Sequence, residues 1–207
     1  MLDSRVRRII DKPLDVVGRK LALLGITANS VTIFGFICGL LSIISISADQ
    51  LNYGLFFLCL NRLADGLDGA VARASSLSDF GGFLDIVSDF IIYSGVVFAF
   101  AIRDQSQSLY AAFLIFSFIG PMTSLLAYAI IAAKKDVNTS KRGKKSFYHL
   151  GGVCEGTETA FILILICAVP SIFAEVCIIY GALCWLTTTG RVYAAWSDFE
   201  NNANPHF

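Results

Sequence analysis

Apolar residues run almost unbroken through six stretches of the chain, and short polar or basic segments separate them. The first stretch, Ser30 to Ala48, carries no charge, and about 20 apolar residues in a helix suffice to cross a hydrocarbon core of roughly 30 Å. Further helices are expected over Leu51–Arg73, Phe80–Ile102, Leu109–Ala133, Glu155–Val169 and beyond, and Ala174–Trp196. Pro121 lies inside the fourth as a site for a kink, and Pro170 marks the turn between the last two. Gly25-Ile-Thr-Ala-Asn-Ser30 ends one helix and starts the next, with Thr27 or Asn29 as the N-cap. Ahead of these runs, Arg5, Arg7, Arg8, Lys12, Arg19 and Lys20 alternate with Val6, Ile9, Ile10, Leu14, Val17, Leu21 and Leu24. That alternation predicts a basic amphipathic helix lying in the headgroup plane, broken in two at Pro13.

The pattern therefore predicts an all-α, polytopic membrane protein. An amphipathic juxtamembrane helix occupies 1–25, six transmembrane helices occupy 26–200, and a tail occupies 201–207. Composition agrees: 56% of the 207 residues are hydrophobic and 15% charged, which excludes an ordinary soluble globule. The charged first twenty residues do not resemble a cleavable signal peptide. Six cysteines are scattered without a Cys-x-x-Cys pair, so neither a disulfide framework nor a thiolate metal site is expected. The net charge is zero and no nucleic-acid partner is expected, but the charges are segregated. With the N-terminus inside, the cytoplasmic segments hold the six N-terminal cations, Arg73, the cluster Lys134, Lys135, Lys141, Arg142, Lys144 and Lys145, and Arg191. The outer loops hold only Arg103, a clear positive-inside bias that puts both termini in the cytoplasm. Tyr193 and Trp196 suit an interfacial aromatic belt.

One stretch breaks the apolar rule. Asn61-Arg-Leu-Ala-Asp-Gly-Leu-Asp-Gly-Ala-Val-Ala-Arg73 and Asp79-Phe-Gly-Gly-Phe-Leu-Asp-Ile-Val-Ser-Asp89 put Asp65, Asp68, Asp85 and Asp89 at membrane depth, where ionisable groups are costly and point to function. Asp65 and Asp68 are i, i+3 and Asp85 and Asp89 are i, i+4, so each pair shares a helix face. Joined through the polar turn 74–78, Asp68 and Asp85 fall roughly 8–9 Å from the turn and Asp65 and Asp89 roughly 12–15 Å. Arg62 and Arg73 are the only cations near, which leaves excess negative charge. A carboxylate-only set suits Mg²⁺, Mn²⁺ or Ca²⁺ rather than Zn²⁺, and four carboxylates are enough for two ions. Asp79 is read as an N-cap only.

Asp65-x2-Asp68-Gly69-x2-Ala72-Arg73-x7-Gly81-x3-Asp85-x3-Asp89 resembles the signature of the CDP-alcohol phosphotransferases, eight residues fixed over 25 positions. These membrane enzymes join a CDP-activated alcohol, usually CDP-diacylglycerol, to a second alcohol and release CMP. The spacer between Arg73 and Gly81 is one residue shorter than in many members, and the difference falls in the turn. The resemblance implies two divalent ions, Mg²⁺ or Mn²⁺, held by Asp65, Asp68 and Asp85. It makes Asp89 the general base for the acceptor hydroxyl, with a purely metal-binding Asp89 as the other reading. It implies that Asp68, Gly69, Ala72 and Arg73 contact the CDP group, that Asn29 and Thr32 lie near the cytidine, and that Gly81 lets the hairpin helices approach. It also implies a CDP-linked lipid donor and a homodimer.

The acceptor is a polar alcohol, and Lys141, Arg142 and Arg191 on the cytoplasmic side are candidates to bind a phosphorylated one such as glycerol phosphate or inositol phosphate. Those cations equally serve topology and anionic lipid. Glu155 and Glu158 are read as helix-start carboxylates, and His149 and His206 as surface residues. Two alternatives use the same aspartates. Intramembrane prenyl transfer usually draws on two separate acidic loops. A divalent-metal transporter needs a polar path to the far side, whereas Leu51–Leu60 and Ile91–Ala101 are nearly all apolar.

Overall fold

The computed structural model describes residues 3–134, 152 and 154–201, and every regular element among them is helical. Helix α1 covers Asp3–Leu23, α2 Ala28–Ser47, α3 Leu51–Ala74, α4 Asp79–Arg103, α5 Ser108–Lys134, α6 Gly156–Ala168 and α7 Phe173–Trp196. Short 3₁₀ turns at Gln105–Gln107 and Pro170–Ile172 lead into α5 and α7, and a π-helical turn, Ser197–Asn201, follows α7.

The helix ends follow local chemistry. Gly25, at φ 79°, closes α1 in a Schellman motif: the Ile26 N–H donates to the Leu21 carbonyl and the Gly25 N–H to the Ala22 carbonyl. Thr27 caps α2, its hydroxyl accepting from the Ser30 N–H. Asp49, at φ 61°, ends α2 in the same way as Gly25 ends α1, and its carboxylate takes the Arg103 Nε at 2.5 Å, tying the C-terminal ends of α2 and α4. Two expectations change. Ser78, not Asp79, caps α4: Ser78 is the last extended residue and its hydroxyl accepts from the Gly81 N–H at 3.0 Å. Asp79 stands in the first turn, where a carboxylate still meets the positive helix end. Pro13 lies inside an unbroken α1. A proline removes one rung of the ladder, and the turns after Pro13 are braced on α3: Leu14 covers Gly66, and a Cβ on Gly18 would lie 2.7 Å from the Ala70 carbonyl carbon.

Small residues set the helix spacing. Helix α2 lies against both α3 and α4. Gly35 faces the Ala64 methyl, Gly39 faces Ile92, and the Ser42 hydroxyl donates to the Gly54 carbonyl at 2.8 Å. Close backbone approach of this kind is how helices pack where lipid supplies no hydrophobic drive. Helix α5 packs on α7 by the same device: Gly120 meets Thr188, Gly181 meets Phe113, and the Trp185 indole donates to the Ser117 hydroxyl at 3.1 Å. A core containing Val96, Phe100, Leu114, Ile166 and Phe173 joins α4, α5, α6 and α7, with the Phe100 and Phe173 rings stacked at 4.7 Å.

Large apolar side chains such as Phe34, Ile44, Phe116 and Ile130 face outward. Four segments are long and apolar enough to cross a bilayer: Ala28–Ser47, Asp79–Arg103, Gln105–Lys134 and Pro170–Phe199. The chain is thus a multi-pass membrane protein. Helix α3 has the length, at 24 residues, but carries Arg62, Asp65 and Asp68. Helix α6 has 13 residues, about 20 Å. The residues Lys135, Lys141, Arg142, Lys144, Lys145, His149 and His206 lie outside the described residues.

Candidate active site

Helices α3 and α4 form the predicted hairpin, joined through Ser75–Ser78. Carboxylate oxygens of Asp65, Asp68 and Asp85 all lie within 4.8 Å of one another. At that separation each charged pair repels by about 3 kcal/mol at an effective dielectric near 20. That repulsion favours a cation among the oxygens. All the cluster's donors are hard oxygens, the chemistry that Mg²⁺ and Mn²⁺ select. The cleft they line also contains Thr32, Gly35, Phe36, Asn61, Arg62, Ser88 and Asp89.

Each wall has a reason to stand where it does. Asp68, 6% exposed, accepts the Thr32 hydroxyl at 2.6 Å, so α2 orients an α3 carboxylate. The one Thr32 hydroxyl proton is shared between Asp68 at 2.6 Å and the Ala28 carbonyl, one turn back, at 3.1 Å. Asn61 is buried and donates to the Gly35 carbonyl at 2.8 Å, locking α3 to α2 at the level of the cluster. Asn29 reaches the start of α4 near Gly81: a Cβ on Gly81 would lie 2.9 Å from the Asn29 Oδ1 and 2.8 Å from the Ser78 Oγ. The close approach at Gly81 is thus to α2 and to the cap of its own helix, not to α3 as the hairpin alone implied.

Asp89 lines the same cleft as the three clustered carboxylates and shares Arg62 with Asp65. Its Oδ1 accepts the Arg62 Nη2 at 2.8 Å and its Oδ2 accepts the Tyr93 hydroxyl at 2.8 Å. The four aspartates thus line one cleft, three of them with oxygens within 4.8 Å of one another and the fourth ion-paired to Arg62. The Arg62 side chain is 9% exposed and points across to α4, also coming within 3.8 Å of Asp65. Spacing along α4 carries the signal for Tyr93, four residues after Asp89, but nothing in the sequence sets the direction of Arg62.

Arg73 does not reach the cluster. Its guanidinium pairs with Asp15 of α1, Nη2 at 2.7 Å and Nε at 3.1 Å, on an exposed edge. Near Gly69 the space is open, since a Cβ there would meet only the Arg73 Nη1 at 3.4 Å, and Ala72 is half-buried. Arg191 was expected to project from the end of the last helix; it is 7% exposed and its Nη1 donates to the Pro121 carbonyl at 2.7 Å. The buried guanidinium of α7 is thus bonded to a main-chain carbonyl of α5. Glu155 stands at the N-cap of α6, accepting from the Gly152 N–H at 3.1 Å, and Glu158 is in its first turn, as their helix-start reading has it. Lys141 and Arg142 lie outside the described residues. On the other side of α3 an apolar groove of about 280 Å³ opens between α1, α2 and α3, lined by Leu21, Ile26, Val31, Phe34, Leu63 and Leu67 among others.

Residues 25–194 match the family model described as CDP-alcohol phosphatidyltransferase. The chain is 42% identical over 195 residues to the inner membrane protein YnjF of Escherichia coli, covering 94% of this chain and 89% of that one. It is 29% identical to an archaetidylinositol phosphate synthase of Pyrococcus horikoshii, over 95% of this chain and 98% of the other. The fold is similar to the crystal structure of Mycobacterium tuberculosis phosphatidylinositol phosphate synthase, PgsA1, with CDP-DAG bound: TM-score 0.70 at 20% identity, over 89% of this chain and 94% of that one.

Proposed function

Because this chain belongs to the CDP-alcohol phosphatidyltransferase family, membrane enzymes of phospholipid synthesis, we propose that it transfers a phosphatidyl group from CDP-diacylglycerol to a phosphorylated polyol and releases CMP. Membership of the family removes the metal-transport and prenyl-transfer alternatives. The observation that carries the proposal is the meeting of Asp65, Asp68 and Asp85 within 4.8 Å in the cleft that Asp89 also lines. Asp65, Asp68 and Asp85 are the residues that would hold Mg²⁺ or Mn²⁺, as two ions. Bound there, the metal neutralises charge on the transferring phosphate.

The chain's own groups do the rest. Thr32 fixes the orientation of Asp68. The open space beside Gly69 supports a nucleotide lying against α3, with Ala72 and Arg73 at its edge. Arg73 then exchanges its exposed pairing with Asp15 for the CDP diphosphate, a swap that is cheap because an exposed ion pair contributes about 0–1 kcal/mol. Asn29 and Thr32 border the cytidine. The apolar groove between α1, α2 and α3 supports an acyl chain of the donor lying along α3. Asp89 accepts the proton of the acceptor hydroxyl.

The acceptor reading draws support from two proteins named for a lipid inositol phosphate and from the cations Lys141 and Arg142 in the sequence. A six-span layout adds α3 and α6 to the four apolar spans: α3 turns its charges into the bundle, and α6 lies against it. The lysine and arginine bias supports termini and cleft on the cytoplasmic side, with α1 in the headgroup plane. A homodimer completes the proposal and rests on the family resemblance. The test is to incubate the purified protein with labelled CDP-diacylglycerol and inositol phosphate, glycerol phosphate or free inositol singly, measuring CMP and the lipid formed. CMP release dependent on inositol phosphate is expected; release only with an unphosphorylated alcohol contradicts the acceptor reading.

A further inference from the structure

Arg73 spends its hydrogen bonds on a carboxylate of the surface helix. Its Nη2 donates to the Asp15 Oδ1 at 2.7 Å and its Nε to the same oxygen at 3.1 Å. Those two nitrogens form an edge by which a guanidinium takes a phosphate or carboxylate in fork fashion. The third nitrogen, Nη1, lies over Gly69, 3.4 Å from the place a Cβ would take. Arg73 therefore stands at the open surface beside Gly69 with that edge turned to α1. Packing holds Asp15 in place. One residue before it, Leu14 covers Gly66, 2.8 Å from where a Cβ would be. One turn after it, Gly18 is buried, and a Cβ there would lie 2.7 Å from both the carbonyl carbon and the Cβ of Ala70. Gly66 and Ala70 are one turn apart on α3, so α1 is seated on a strip of small residues that runs beside Gly69 and Arg73. Asp15 thus keeps its place whether or not Arg73 is bonded to it.

We propose that Asp15 is a positioning residue that acts through Arg73 as a built-in competitor for the nucleotide's phosphates, limiting the hold of Arg73 on CDP and CMP alike so that CMP leaves. The proposal rests on the transfer reaction above, with Arg73 meeting the phosphates. While Asp15 holds the Nε–Nη2 edge, a phosphate over Gly69 has Nη1 alone. The donor's diphosphate must displace the carboxylate to take the whole fork. CMP keeps a phosphate that the same edge would hold, and Asp15, still seated beside it, takes the edge back as CMP withdraws. A hold applied equally to bound states lowers KM without speeding turnover, and slow product release limits the turnover of many enzymes. An exposed pair suits this exchange because it forms and breaks at small cost.

The test is a double-mutant cycle over Asp15→Asn and Arg73→Gln, with Asp15→Glu beside it, in the full-length protein in detergent with Mg²⁺. One readout is CMP binding by isothermal titration calorimetry without lipid substrate. The other is the KM for CDP-diacylglycerol, from CMP release. Asp15→Asn is expected to tighten CMP binding by about two- to fivefold and to lower the KM by a similar factor, the range that an exposed ion pair spans. Arg73→Gln is expected to weaken CMP binding by about tenfold or more. In the Arg73→Gln background, Asp15→Asn changes CMP binding by less than about 1.5-fold, because no competition is left. Asp15→Glu keeps the charge and stays within about twofold of wild type. A merely structural Asp15 predicts weaker or unchanged CMP binding in Asp15→Asn, and either result overturns the proposal, as does an equal gain in both backgrounds. Arg73→Lys replaces an Arg73→Gln protein that does not fold. If the Arg73 variant binds CMP as wild type does, the phosphate role of Arg73 fails and the proposal falls with it. If that variant loses CMP while Asp15→Asn gains none, the proposal alone fails. A wild-type protein that binds CMP but releases none from CDP-diacylglycerol counts against the transfer reaction alone, because the binding cycle still reads the competition.

Discussion

Thr32 shows how much of the site is made by groups that never touch the reacting atoms. Its hydroxyl is 2.6 Å from an oxygen of Asp68, itself nearly fully buried. Hydrogen bonds that orient a ligand carboxylate are worth about 10–100-fold in metal affinity. Thr32→Val keeps the shape and removes the donor, so the Mn²⁺ concentration for half-maximal CMP release should rise by about tenfold or more. An unchanged metal requirement would mean that Asp68 needs no support. The Asp15–Arg73 pair predicts the opposite kind of result. Both side chains are well exposed, and exposed pairs are worth about 0–1 kcal/mol. Asp15→Asn should therefore move the melting temperature by less than about 3 °C in a chain of this size.

Helix pairs carry the next layer of explanation. The α2–α3 crossing is set where Gly35 meets Ala64, with 2.9 Å between an added Cβ and the alanine methyl. The Asn61-to-Gly35 bond sits at the same level. Gly35→Leu must push α2 off α3, and overpacking of this kind costs about 1–3 kcal/mol, so a melting point lower by roughly 3–10 °C is expected, measured in detergent. Catalysis should fall with it, because Thr32 stands one turn from Gly35. The helices themselves were legible in the sequence. Apolar runs bounded by Gly25, Gln50, the 74–78 turn and Pro170 predicted boundaries within two residues of those observed for α2 to α5 and for α7. The meeting of Asp65, Asp68 and Asp85 was legible too, since helical spacing puts carboxylates on a face. Partners across helices were not. Spacing says which face Arg62 shares, but not whether its long side chain turns to Asp89, and it said nothing of Asp15 finding Arg73. Arg191 misled for the same reason: a helix-end arginine reads as exposed until a proline on the neighbouring helix supplies a carbonyl for it. Pro13 misled because local propensity ignores the brace that α3 provides.

As an assembly, the protein is an apolar bundle wrapped around one polar cleft. The topology proposed from the charge bias has the 74–78 turn on the cytoplasmic side and the Gln105–Gln107 turn on the other. In a cysteine-free background, Ser106→Cys should be labelled by a membrane-impermeant maleimide from outside. Ser76→Cys should be labelled only after the membrane is opened. Reversed labelling would invert the topology and separate the cleft from its nucleotide. Beneath topology, acceptor and dimer lies one claim, that the α3–α4 hairpin gathers Asp65, Asp68 and Asp85 around divalent metal. Anomalous diffraction from crystals soaked in Mn²⁺ tests it most directly. A peak bonded to those carboxylates is the predicted result; a saturated crystal with no manganese among them would contradict the account.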